Sequence, residues 1–148
     1  MKGTNLQGAN LASAEFSWHQ TYRGNDLLAV PKCEVAVSAI LDNANLSYAN
    51  LFRADLQGVS LNSANLTQAN LQQTNLSYAN LEEANLNSTN LELAYIYRVN
   101  FTDADLRNAN LMNKDISSST SFKGAKYNSQ TIFPPDFDPE KAEMVFIP

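Results

Sequence analysis

Two residues are of types that do covalent chemistry: His19, the only histidine, and Cys33, the only cysteine. A thiol and an imidazole make a nucleophile pair when a third group orients the base, and no such group is evident in the segment around them. Neither has the second His or Cys that a metal site needs. No catalytic residue, metal or cofactor is therefore expected, and the chain reads as a non-enzyme. Phosphate-cradling glycine patterns are absent, with only 5 glycines in the chain. Asn45-Leu46-Ser47, Asn65-Leu66-Thr67 and Asn75-Leu76-Ser77 match the N-glycosylation triplet, but a repeat described below generates such triplets by itself. The residues that stand out chemically favour binding: Trp18, Tyr22, Tyr78, Tyr95, Tyr97 and Arg98. Tyr, Trp and Arg carry much of the energy at protein interfaces.

The chain has 148 residues, enough for one domain with a continuous core. Ten basic residues against 15 acidic ones give a net charge of −5, which disfavours a surface that tracks phosphates. Nucleic acid and membrane are not expected partners; a protein is. No stretch approaches the roughly eighteen apolar residues of a membrane span, and Met1-Lys2-Gly3-Thr4-Asn5-Leu6 has no apolar signal core. A single cysteine permits no internal disulfide and fits a reducing compartment, so a cytoplasmic protein is expected. The repeat is already in phase at residue 1, which leaves room for an upstream cap or leader.

A large apolar residue occupies every fifth position from Leu41 through Leu46 and Leu51 to Ile116, sixteen units without a slip. Two residues earlier stands Ala, Val or Thr in fifteen of the sixteen, Lys114 being the exception, and between them Asn or Asp in thirteen. On an α-helix a step of five rotates by roughly 140°, so these leucines would scatter around the axis. On a flat strand an odd step sends successive leucines to opposite faces. Both objections vanish if the chain turns a corner in every unit, so that each leucine points at one shared interior. A closed coil with few sides remains, its number of sides open.

Units such as Ala44-Asn45-Leu46-Ser47-Tyr48 and Ala79-Asn80-Leu81-Glu82-Glu83 resemble the pentapeptide-repeat family. That resemblance implies an all-β fold, a right-handed quadrilateral parallel β-helix with four units per coil. Twenty residues then make a coil, coils stack at about 4.8 Å, and Leu41, Leu61, Leu81 and Phe101 form one column. Residues 41–116 give four regular coils. Met1, Leu6, Leu11 and Phe16 share the phase, so 1–16 is expected to be a first coil, about five in all. The Asn before each Leu is read as structural: it bonds nearby backbone at a corner and tolerates unusual dihedrals.

Thr21, Asp26, Pro31 and Ala36 hold the phase positions of 17–40 and make no apolar wall, so this segment is expected to leave a corner as a loop excursion, with a degraded coil as the alternative. After Ile116 the phase slips by one to Phe122, Tyr127 and Ile132. Pro134, Pro135 and Pro139 cannot donate to a ladder, so the sheet should end there. Asp138 followed by Pro139 reads as the cap of one helical turn, and 117–148 as degenerate repeats and a terminal plug. This ending resembles the tails of cyanobacterial members of the family.

At twenty per coil, Tyr78 lies beside Arg98, with Tyr95 and Tyr97 flanking Ile96 on the same side. The expectation is a monomeric, non-catalytic binding scaffold that engages a protein through this outer face or the 17–40 loop. Solvent-facing tyrosines that merely cover backbone are the plainer explanation. The alternative function is a duplex-DNA mimic that inhibits a type II topoisomerase, as the resemblance to quinolone-resistance members would imply. That role needs acidic columns, and only Glu83 above Asp103 stacks closely, while the columns around them are read as mixing Asp42, Glu82, Arg53 and neutral residues.

Overall fold

A computed structural model describes residues 4–14, 16, 39–113, 116 and 118–148. Its backbone pairs are parallel and separated by twenty residues: Asn45 bridges Asn65, Asn50 bridges Asn70, Asp55 bridges Asn75 and Ser60 bridges Asn80. Four five-residue units therefore close one turn, and the architecture is a right-handed quadrilateral β-helix. Each side is short. Leu46 N–H donates to the Asn65 carbonyl at 2.7 Å and Asn65 N–H donates to the Ala44 carbonyl at 2.9 Å, which completes the pairing of that side. Longer strands occur, among the described residues, only at Lys126–Tyr127 (β1) and Val145–Phe146 (β2), which pair in parallel.

The corner follows from one turn used in every unit. Ala44 N–H donates back to the Leu41 carbonyl at 3.0 Å, and the third turn residue, Asn43, is left-handed at φ 57°. The same place holds Tyr48, Arg53, Glu83, Leu93 and Arg98, all left-handed, which is the dihedral that type II turns demand at this position. The asparagine before the leucine is therefore not the residue with the unusual dihedral. Its Oδ1 instead accepts the N–H two residues on, as Asn45 does from Ser47 at 3.1 Å and Asn70 from Gln72 at 3.1 Å. It also bonds across coils: Asn100 Nδ2 donates to Asn80 Oδ1 at 2.9 Å and Asn70 Nδ2 to Asn50 Oδ1 at 3.3 Å.

Inside, the leucine columns and the small residues two positions earlier are buried as one cluster. Where Thr replaces Ala, its hydroxyl is satisfied: Thr74 Oγ1 donates to the Leu51 carbonyl and Thr89 Oγ1 to the Leu66 carbonyl, both at 2.8 Å. A buried hydroxyl without that partner would cost about 1–3 kcal/mol.

The first coil docks across a longer step. Asn5 pairs with Asn45 and Asn10 with Asn50, forty residues apart, and Phe16 N–H donates to the Asp55 carbonyl at 2.8 Å. This ladder leaves no room for another coil between the two. Ala39 and Ile40, placed by the sequence at the end of the excursion, already belong to the ladder, since Ile40 pairs with Ser60. Otherwise the expectation for 17–40 lies outside the described residues, and Trp18, His19, Tyr22 and Cys33 with it.

Toward the C-terminus Asn100 pairs with Ser121 and Asp105 with Lys126, a step of twenty-one, and Asn110 pairs with Ile132, a step of twenty-two. The phase thus slips twice. Ile132 is consequently not inward, as its sequence phase suggested; it is 47% exposed, and Phe133 packs against the core. At the second slip Asn128 Oδ1 accepts Asn108 N–H at 3.1 Å, standing in for a backbone carbonyl. Nor does the sheet end at the prolines: β2 resumes the ladder beyond them, with Val145 N–H donating to the Ala125 carbonyl at 2.9 Å.

Between them lies the expected helical turn. Asp138 Oδ1 accepts Glu140 N–H at 3.1 Å and Lys141 N–H at 3.2 Å. A left-handed Glu143 closes it, with Met144 N–H reaching the Pro139 carbonyl at 3.0 Å. Phe101 stacks on Phe122, Phe122 meets Phe137 edge-on, and Phe133 stacks on Phe137, so an aromatic plug covers the core end.

Candidate functional site

The left-handed corner residue cannot turn into the core, so its side chain projects outward and stacks on the one twenty residues later. Tyr78 (φ 63°) and Arg98 (φ 55°) are such a pair, tied by Tyr78 N–H donating to the Tyr97 carbonyl at 2.9 Å. The rings of Tyr78 and Tyr97 meet edge-to-face at 5.5 Å. The Arg98 guanidinium lies 5.4 Å from the Tyr97 centroid and 5.9 Å from that of Tyr78, within cation–π range. The three side chains form one exposed cluster that packs against itself and not the core.

Tyr95 is also exposed, but it sits mid-side, paired with Asn75, and among the described residues no ring contact joins it to the other two. Its neighbour is the exposed Leu93 at the preceding corner, with Met112 exposed on the next coil. Sequence reasoning passed over both residues because it sought aromatics. An apolar residue at an outward position of the five-residue unit was the available signal.

One side of the helix separates the tyrosine corner from a corner bearing Asp42, Glu82, Glu83 and Asp103. Arg53 is not among them; it lies two corners away, over the Phe52 ring at 4.8 Å and donating to Gln73 Oε1 at 2.8 Å. Glu83 accepts from Ser63 Oγ at 3.0 Å, and Asp42 from Ser60 Oγ at 2.5 Å. Elsewhere the Arg107 guanidinium, hydrogen-bonded to Asp105 at 2.6 and 2.8 Å, holds that carboxyl below the usual aspartate range.

A groove of about 620 Å³ opens between residues 118–123 and the tail residues Asp136, Phe137, Asp138, Lys141, Ala142 and Glu143. Its lysines are already paired, Lys123 with Glu143 at 3.8 Å and Lys141 with Asp138 at 3.1 Å. Among the described residues no group of His, Cys, Asp and Glu is placed to hold a metal ion, and no helix is long and apolar enough to cross a membrane.

The profile of the family described as pentapeptide repeats matches residues 39–77 and 74–113, in 8 copies. Among solved structures, a pentapeptide repeat protein (Rfr23) from the cyanobacterium Cyanothece 51142 is 34% identical, with a TM-score of 0.74 over 89% of each chain. HetL from Nostoc sp. strain PCC 7120, involved in heterocyst differentiation regulation, is 19% identical with a TM-score of 0.39, covering 90% of this chain and 80% of its own. No curated protein matches. The repeated unit, the twenty-residue ladder and the 34% identity to Rfr23 across most of both chains make this chain a member of the pentapeptide-repeat family.

Proposed function

We propose that the protein is a non-catalytic, monomeric scaffold that binds a protein partner through the outer surface around Tyr78, Tyr97 and Arg98. The observation that carries this reading is the exposed cluster itself: two tyrosines and an arginine preorganised by mutual ring and cation–π contacts, at corner positions the fold does not need to be aromatic. Rigid aromatic anchors lose little side-chain entropy on binding. Trp18 and Tyr22 stay in the proposal as a second contact from the 17–40 segment. A cytoplasmic setting belongs to the same reading.

A tagged pulldown from native lysate tests it. Wild type is expected to retain a partner that Tyr97→Ala/Arg98→Ala loses, with the variant still folded by circular dichroism. Equal retention by both proteins would remove this surface from the account. A topoisomerase inhibitor acting as a duplex mimic would need acid along several columns, whereas Asp42, Glu82, Glu83 and Asp103 share one corner and Glu92 stands alone at another; inhibition of gyrase supercoiling by the purified protein would reinstate that alternative.

A further inference from the structure

The side running from the tyrosine corner to the acidic corner has a flat floor of small and amide side chains: Ser60, Asn80, Asn100 and Ser121, all half-buried. Asn80 and Asn100 are tied to each other at 2.9 Å, and Asn100 Nδ2 reaches Glu82 Oε2 at 3.4 Å. One rim is Tyr78, Tyr97 and Arg98. The other is Glu82, Glu83 and Asp103, and among the described residues no cation lies within ion-pair distance of these three. The nearest lysine along that corner, Lys123, is engaged by Glu143. The flat floor thus runs between an unneutralised anionic rim and an aromatic one whose single cation, Arg98, lies against the tyrosine rings.

We propose that this side receives an extended, arginine- or lysine-bearing protein segment. Its cation meets Glu83 and Asp103, its aliphatic stem or neighbour lies on Tyr78 and Tyr97, and its backbone meets the Asn80 and Asn100 amides. Charge complementarity selects this occupant: carboxylates without a cation beside them repel acidic segments and attract basic ones, while tyrosine faces take up guanidinium groups and apolar stems alike. The inference rests on the scaffold reading and specifies the chemistry of its partner.

The probe is a fluorescein-labelled octapeptide alternating arginine and threonine, followed by anisotropy and by amide NMR shifts, with a version carrying glutamine for arginine. Wild type is expected to bind the arginine peptide, and Glu83→Gln/Asp103→Asn to bind it about tenfold more weakly, as does Tyr78→Ala/Tyr97→Ala. The charge-matched variant Glu92→Gln/Glu140→Gln, altered away from this side, should stay within about twofold. Shifts should centre on Asn80, Asn100 and the two rims. No binding, equal loss in the charge-matched variant, or shifts on another side would each overturn the proposal. A lysate partner lost by Tyr97→Ala/Arg98→Ala but kept by Glu83→Gln/Asp103→Asn would sink the cationic segment and leave the scaffold standing.

Discussion

From Leu41 to Leu111 each column repeats at a step of twenty, whereas between Asn100 and Ile132 the same columns continue at twenty-one and then twenty-two. The threonine hydroxyl bonds record the change: Thr74 reaches back 23 residues and Thr89 also 23, but Thr120 reaches back 24 and Thr131 reaches 25. Every one of them still finds the equivalent carbonyl. The fold therefore enforces which residue bridges and which points inward, and lets connecting corners absorb an extra residue. A side chain such as that of Asn128 then fills the vacated hydrogen-bonding place.

Paired truncations test that difference most strongly. Leu81→Ala, inside the strict region, is expected to lose about 2–5 kcal/mol in chemical denaturation through lost burial and a cavity. Ile132→Ala, in phase by sequence but outward by structure, should stay within about 0.5 kcal/mol. A large loss at Ile132 would mean that the second slip is misplaced.

A smaller effect is expected at Gly124, the glycine among the corners of the slipped region. It is left-handed at φ 70°, and an added Cβ would fall 2.1 Å from Asp103 Oδ1. The carboxylate can swing away, so Gly124→Ala should cost about 1–2 kcal/mol, chiefly from the left-handed backbone. The reverse exchange in the regular coils, Ser88→Gly at φ 58°, should gain up to about 1 kcal/mol, read as a higher denaturation midpoint.

How much of this was legible in sequence depends on whether a residue type reports its position. Leu81 and Phe101 announced themselves because the interior accepts only large apolar groups at that place. Ile132 and Phe133 are both apolar and adjacent, so a period could not choose between them; a hydrogen-bonded ladder could. The left-handed corner was hidden for the opposite reason, since Tyr, Arg, Glu, Leu and Ser all occupy it, while the conspicuous Asn drew attention to the wrong position. The Tyr78–Arg98 neighbourhood could be read once four units made a coil. Glu83 above Asp103 could be read in the same way, but the acidic rim was obscured by Arg53, which was counted among its neighbours and lies two corners away.

The smallest effect concerns acid. Hydrogen-bonded to Arg107, the folded Asp105 carboxyl takes up a proton less readily than the unfolded one. Its contribution is therefore complete above the ordinary aspartate value of 3.8 and is lost as pH falls through the lowered folded value. Wild type and Arg107→Gln should accordingly differ in melting temperature at neutral pH and converge in strong acid. A difference that persisted there would assign the arginine's effect to packing instead of charge.

The forty-residue step from Asn5 to Asn45 also bears on the order in which the protein is made. Doubling a connection from twenty to forty residues adds only about 0.6 kcal/mol of closure entropy, so the finished structure scarcely registers it. A chain emerging from its N-terminus is affected differently. Its first coil waits for a docking surface synthesised much later, whereas each coil after Ile40 finds its neighbour one turn away. Ladder pairing at a single turn's separation begins only at Ile40, and residues 4–16, made before it, acquire their partners only once 45–55 have followed.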